Sequence, residues 1–330
     1  MLKSIFRWVR SAALVAACAH AAATHAAPTA VFGFGDSLMD TGNLFLAIGA
    51  PPSPPYAGGR FSNGPLWAEN IAGSMGFGLV PSLIPGGNNF AWAGARSGTG
   101  VTSGFIPNVG TQVGQYLALS GGVADAGALY IIDGGGNDVQ PIVALANPVA
   151  ILTAISNTVN NMLNSIKALA AAGAKNFLIA DVPNVGGTPK VQAIDAANPG
   201  LNIALGATAV SNAINQGVLQ GLMALHGADP TLDLGYLDLF ALSQAVHANP
   251  AAFGFTNDTD PCFNGVTVCA NPDEYVYWDD FHPTAAVGRL IAAQPGRSVP
   301  EPGAMLLTLL AMATLAAFRS KKQLRAATIR

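Results

Sequence analysis

Short runs rich in β-branched and aromatic residues alternate with longer stretches of helical periodicity, and that rhythm limits the fold more than any other feature. Candidate strands are AVFGF near residue 32, NFAWA near 90, ALYIID near 130, NFLIAD near 178 and LGYLDL near 236. Between the third and fourth, residues 148–172 place apolar side chains at helical spacing, with Gly173 at the end. Residues 198–226 do the same between the fourth and fifth, closed by Gly227. Strands that alternate with helices imply a parallel sheet covered on both faces. The expected fold is therefore α/β, a three-layer α/β/α sandwich around a central parallel sheet. No internal repeat is visible.

The two ends read as addresses rather than as fold. Lys3, Arg7 and Arg10 precede the apolar run SAALVAACA and the small residues AAATHAAP, the order of a secretory signal peptide. A cut after Ala26 is expected, with Thr24 and Ala26 at the small positions; a second reading takes LVAAC, ending at Cys18, as a lipoprotein box. At the other end, residues 303–318 are 16 uncharged, mostly apolar residues, followed by Arg319, Lys321, Lys322 and Arg325. That is short against the roughly 20 residues that span a bilayer. With its basic far side it is still expected to anchor the chain in the inner membrane, the body lying outside. The order Pro-Glu-Pro, apolar helix, basic tail over residues 298–330 resembles the PEP-CTERM sorting signal of Gram-negative bacteria. That resemblance implies processing by an exosortase and a link to extracellular polysaccharide; a plain tail anchor is the alternative.

Setting the ends aside changes the electrostatics. Of the 15 Lys and Arg residues, three lie in the leader and five follow Phe318, whereas all 18 Asp and Glu lie between Asp36 and Glu301. The body thus holds seven basic against 18 acidic side chains, a balance of −11 where the whole chain shows −3. An acidic body without a basic cluster excludes nucleic acid as a partner and a strong pull toward anionic lipid. About 275 residues remain, enough for one large α/β domain, read here as residues 27–297. Cys262 and Cys269 close the loop CFNGVTVC and, in an oxidising compartment, are expected to form a disulfide.

Two irregular stretches, residues 50–67 and 255–275, interrupt the rhythm, and such loops in a compact α/β domain carry or cover a site. In an open parallel sheet, ligands sit beyond the carboxyl ends of the strands. Ser37 follows the first run, Gly94 the second and Asn137 the third, so all three are expected on one rim. Ser37 has two readings: the N-cap of a helix, or a nucleophile whose helix-start N–H groups face the developing charge. By itself Gly94 is a turn glycine, and Asn137 a turn former in a Gly-Asn-Asp corner. His226 and His247 each precede a helix stop, where an imidazole suits the negative end of the dipole. His282 differs, lying in YWDDFHPT with Asp279 three residues before it and Pro283 suited to the first turn of a closing helix. A carboxylate at that spacing can accept Nδ1–H and leave Nε2 to take a proton from a serine. Asp280 is the alternative orienter, and a plain capping pair the alternative role.

FGDSLMDTGN, GRFSNGPLWAE, NNFAWAGA, GGGND and DDFHPT, in that order, resemble the successive blocks of the GDSL esterase/lipase family, also called SGNH hydrolases. The resemblance runs from about Val31 to Ala293 and implies a flavodoxin-like α/β/α fold. It implies that Ser37 is the nucleophile, with Asp279 and His282 completing a triad. The oxyanion donors it implies are the backbone N–H groups of Ser37 and Gly94 and the side-chain amide of Asn137. Asp36 and Asn43 are expected to support the serine loop. The G-x-S-x-G elbow is absent around Ser37, so the ordinary α/β-hydrolase arrangement is not expected.

The expected function is that of an exported serine esterase or lipase acting through an acyl-enzyme on a lipid or acylated glycan, with no metal or organic cofactor. A carbohydrate O-acetylesterase acting on exopolysaccharide is the rival within enzymes, since Tyr56, Phe61 and Trp67 suit either a sugar or an acyl site. An inactive surface-binding protein is the rival outside them. The Cys262–Cys269 loop ends ten residues before Asp279, and either pins that segment for catalysis or acts as a staple.

Overall fold

The computed structural model describes residues 27–294 and 296–298. The chain opens with β1 (Val31–Phe34), the short helix α1 (Asn43–Ile48) and α2 (Trp67–Ser74). An antiparallel ribbon of β2 (Val101–Thr102) and β3 (Ile106–Pro107) leads into α3 (Val109–Leu119). The strand–helix units follow: β4 (Leu129–Ile132), α4 (Gly136–Val143), α5 (Pro148–Ala171) and β5 (Asn176–Ala180). Next come α6 (Pro189–Ala197), α7 (Ile203–Ala228), β6 (Asp233–Leu237) and α8 (Leu239–Ala248). β7 (Asn257–Pro261), β8 (Tyr275–Tyr277), α9 (Ala285–Ala292) and β9 (Arg297–Ser298) complete the order.

The main sheet runs β1-β4-β5-β6-β9, with the first four strands parallel and β9 antiparallel at the edge of β6. Alternation along the pleat decides what each face buries. Tyr130 and Ile132 of β4 join Phe177 and Ile179 of β5 in one core, packed by Val113, Met162, Ile166 and Ile214 from α3, α5 and α7. Ile131 points the other way, into a second core with Trp67, Leu239, Val246 and Ile291 from α2, α8 and α9. The fold is thus a central parallel sheet between two helical layers.

Local chemistry explains the helices that matter here. Asn147 caps α5, its Oδ1 accepting from the N–H groups of Val149 (2.8 Å) and Ala150 (3.3 Å), and Pro148 takes the first helical position, which needs no N–H. α5 and α7 approach so closely that a Cβ on Gly221 would lie 2.2 Å from Leu163 Cδ1, so any larger residue there would have to displace the Leu163 side chain. The α7 helix begins at Ile203, later than the periodicity suggests, and continues through Gly227 to Ala228.

Two expectations are corrected. NFAWA near residue 90 is not a strand. Asn89 makes one parallel bridge to Gly33, and the chain then tracks β1 through Phe90 N–H to Gly33 O (2.7 Å) and Trp92 N–H to Gly35 O (3.1 Å). The Asn89 amide turns inward to Met39 O and Thr41 Oγ1, diverting the segment into the serine loop. The expectation of an inner-membrane anchor does not hold either: among the described residues no helix is long and apolar enough to cross a membrane. Residues 303–318, on which that expectation rests, and the leader over residues 1–26 lie outside the described residues.

Candidate active site

After β1 the chain makes a tight turn in which Asp36 O accepts from Met39 N–H (3.1 Å) and Asp40 N–H (2.9 Å). Ser37 stands in this turn and does not open a helix, because α1 begins only at Asn43. The capping role expected of Ser37 falls to Asp40. Its carboxylate accepts from the N–H groups of Gly42 (2.8 Å), Asn43 (2.6 Å) and Leu44 (3.1 Å). The other end of the site comes from the segment after β8, which turns back on itself as Trp278 N–H donates to His282 O (2.7 Å).

Ser37 and His282 are 245 residues apart in sequence, yet Ser37 Oγ lies 2.9 Å from His282 Nε2. On the far side of the ring, Nδ1 is 2.9 and 2.8 Å from the two carboxylate oxygens of Asp279. Asp279 Oδ1 also accepts from the N–H groups of Phe281 (2.8 Å) and His282 (2.6 Å), and Tyr56 O–H donates to Oδ2 at 2.7 Å. Asp280 faces elsewhere, 3.7 Å from Lys190 Nζ, so Asp279 is the residue that reaches the imidazole. The Phe61 ring lies 4.8 Å from that of His282, centroid to centroid. His226 and His247 fall in the last turns of α7 and α8 and do not border the cleft at Ser37.

That cleft, about 470 Å³, brings Ser37, Gly94, Asn137, Asp279 and His282 into one wall. Gly94 has φ +84°, and a Cβ there would press on Ile106 Cδ1 at 3.2 Å; glycine therefore keeps the approach to its N–H open. Among the described residues, neither the Ser37 nor the Gly94 backbone N–H has an acceptor. Asn137 is the second residue of α4, and its amide donates to Ala95 O (3.0 Å) and, more weakly, to Asp36 Oδ2 (3.3 Å). Chemically, the arrangement offers a hydroxyl, a base able to take its proton, a carboxylate able to hold the resulting cation, and N–H donors beside the hydroxyl.

Electrostatics separate the carboxyl groups. Burial works to raise the Asp279 pKa, but the His282 charge and the hydrogen bonds from His282 and Tyr56 outweigh it and hold the group at about 2. Burial pushes Asp36 up to about 6, against the Leu38 N–H and the His282 charge. Asp133 is also raised well above the usual carboxylate range, by burial and then by the neighbouring Asp36; its Oδ1 accepts from Asp36 N–H (2.9 Å) and its Oδ2 has no partner among the described residues. Among the described residues no group of three His, Cys, Asp or Glu side chains is placed to hold a metal ion.

Cys262 and Cys269 are joined by a disulfide, with Cα atoms 4.8 Å apart. The loop lies along β8, Cys262 N–H donating to Tyr277 O (3.0 Å) and Phe263 N–H to Trp278 O (2.6 Å). Two supports escape a reading of the sequence alone. Tyr56 is there only one aromatic residue in a proline-rich loop, and the only signal for its partner is that the loop is long. That loop is fixed by a two-point ion pair of Arg60 with Glu69 (2.7 and 2.6 Å) and joined to the His282 segment by Ser62 Oγ–H to Pro283 O (2.9 Å). The other is Asp40, visible as an acidic residue but not as the group that also accepts Ala93 N–H (2.9 Å) and so moors the Gly94 loop. Trp67, expected at a sugar or acyl site, is buried in the second core and borders not this cleft but a narrower cavity on the other side of Ser37.

The sequence profile of the GDSL-like lipase/acylhydrolase family matches residues 31–294. A GDSL esterase/lipase of Arabidopsis thaliana is 26% identical over 309 residues, spanning 79% of this chain and 85% of its own. Another from the same plant is 28% identical over 310 residues, spanning 79% and 85%. Among solved structures, a lipolytic protein of the G-D-S-L family from Veillonella parvula DSM 2008 aligns with 79% of this chain and 93% of its own at 14% identity and a TM-score of 0.38. With a match over nearly the whole body, the chain belongs to the GDSL-like lipase/acylhydrolase family of ester hydrolases.

Proposed function

We propose that the protein hydrolyses carboxylic esters through an acyl-enzyme formed on Ser37. His282 Nε2 takes the Ser37 proton as Oγ adds to the ester carbonyl, and Asp279 fixes the tautomer and holds the imidazolium. The ester C–O bond then breaks as His282 returns the proton to the leaving alcohol. Water, deprotonated by the same imidazole, releases the acid and restores Ser37. The N–H groups of Ser37 and Gly94 meet the oxyanion, and the Asn137 amide turns toward it the N–H now given to Asp36 in the longer of its two bonds. The observation that carries this reading is the unbroken line from Ser37 Oγ through His282 to Asp279, bordering a cleft that also holds Gly94 and Asn137.

The test is purified protein against nitrophenyl esters from acetyl to palmitoyl, beside Ser37→Ala. The substitution is expected to lower kcat by roughly three to six orders of magnitude, and Asn137→Ala by about 10²–10³. Wild type and Ser37→Ala equally inactive on every ester and on acetylated glycans would end the proposal. Activity confined to acetyl esters would select the second reading, a carbohydrate O-acetylesterase, for which Tyr56 and Phe61 at the cleft are the support.

The same proposal includes export. Its support is the leader pattern over residues 1–26 and a disulfide suited to an oxidising compartment; the Pro-Glu-Pro tail is read as the mark by which an exosortase would process the chain. N-terminal sequencing of protein recovered outside the cytoplasm is expected to begin at Ala27.

A further inference from the structure

Ser37 stands between two spaces of different character. On one side is the open cleft, whose border includes Gln140, Lys190 and Asp280. On the other, beneath the His282 segment, lies a narrower cavity of about 110 Å³. Its walls are Leu239, Leu242 and Val246 of α8, Val276 of β8, and Val287 and Ile291 of α9. Ser37, Gly136, Asn137 and Phe281 border both spaces. A carbonyl held at Ser37 and Asn137 therefore has a polar exit for one substituent and an apolar one for the other.

We propose that this second cavity is the binding site for the acyl chain of the ester, and that its volume sets a preference for chains of about eight carbons. The inference rests on the ester-hydrolase reading and names its substrate class. A single water needs roughly 10–15 Å³ of such space, so the cavity of about 110 Å³ takes about seven to eleven water-sized groups, and a methylene is of that size. An apolar chain belongs there because its walls offer aliphatic carbon and little to hydrate. The alcohol, which must leave as a polar product, faces the open cleft. Four carboxyl groups also border the cavity, those of Asp36, Asp133, Asp181 and Asp258. Asp181 is satisfied by Tyr236 O–H (2.9 Å) and Phe240 N–H (3.0 Å), and burial raises both it and Asp133, favouring the uncharged form. The pair of exposed His247 with part-buried Asp258 (2.6 Å) borders it too. Leu242 is half-buried against this space and outside the catalytic groups, so it is the place to change the cavity.

The test compares kcat/KM on nitrophenyl acetate, butyrate, hexanoate, octanoate, decanoate and palmitate for wild type, Leu242→Trp and Leu242→Ala. Wild type is expected to gain about two- to fourfold per added methylene up to octanoate, then level or fall. Leu242→Trp should stay within twofold on acetate and lose at least tenfold on octanoate; Leu242→Ala should move the optimum toward decanoate. If the tryptophan does not fold, the alanine variant alone decides. Calorimetric binding of methyl octanoate and methyl acetate to Ser37→Ala, with and without Leu242→Trp, separates the two claims. Octanoate binding that Leu242→Trp removes supports the cavity even if no ester is cleaved, which would sink only the hydrolase. Cleavage with an acetate optimum, or losses equal on all esters in Leu242→Trp, overturns the cavity and leaves the hydrolase standing. Neither cleavage nor binding overturns both.

Discussion

Asp279 accepts from Phe281 N–H, His282 N–H, His282 Nδ1–H and Tyr56 O–H, more than is needed to orient one imidazole. The two backbone bonds fix the carboxylate in its own turn, and Tyr56 fixes it from a loop 223 residues away in sequence. A hydrogen bond to a charged group contributes about 1.5–3 kcal/mol, and in the proposed mechanism this one counts most when the imidazolium forms opposite. Tyr56→Phe keeps the ring against Phe61 and Trp278 and removes only that donor. We expect kcat to fall about tenfold with KM little changed; steady-state kinetics giving an unaltered kcat would refute the role. The Asp-x-x-His spacing made Asp279 legible in the sequence. Tyr56 was not, because no local pattern relates a proline-rich loop to a turn more than 200 residues later.

At the scale of elements, the site is held by ties between loops rather than by the sheet alone. Asp40 joins the serine turn, the start of α1 and the Gly94 loop through four backbone N–H groups. Asp40→Ala leaves those donors buried and unmet, at a cost of about 1–3 kcal/mol each before relaxation. It is expected to lower the melting temperature by ten degrees or more, read by circular dichroism; a fall of a degree or two would show that the clamp is dispensable. The disulfide loop ties by hydrogen bonds to the end of β8, just before Asp279. Replacing both cysteines by serine is expected to reduce kcat while the fold persists, and activity unchanged at full loss of the bond would make it a staple only. The strands and long helices were legible because each repeats a short-range pattern. The segment near residue 90 was not, because its strand-like composition is overruled by what the Asn89 side chain binds.

For the molecule as a whole, burial is the first cause raising Asp36, Asp40, Asp133, Asp138 and Asp181, with Asp36 at about 6 and Asp181 at about 7. A carboxyl group whose pKa is raised by folding gives stability that is full below its ordinary value near 3.8 and is lost as pH climbs through the folded value. Self-repulsion in a body at −11 acts in the same direction. Asp279, depressed to about 2, acts oppositely: its contribution is present above about 4 and lost as pH falls toward 2. Thermal unfolding from pH 3 to 9 is expected to show a maximum near pH 5, several degrees above the value at pH 8. Asp181→Asn should shrink that difference; a melting temperature that rises steadily to pH 8 would contradict the assignment.

What the sequence determined by itself is whatever short spacing encodes: the alternation of strand and helix and the order of the five blocks, whose resemblance to a family marks Ser37, Gly94, Asn137, Asp279 and His282 as site candidates. Those depend on neighbours within a few positions, where backbone geometry links pattern to structure. Tertiary structure alone decided that Ser37 sits in a turn with Asp40 as the cap, that Tyr56 braces Asp279, and that an apolar cavity opens behind the serine. Each of these depends on groups brought together by chain closure over tens to hundreds of residues, and no local periodicity carries that information.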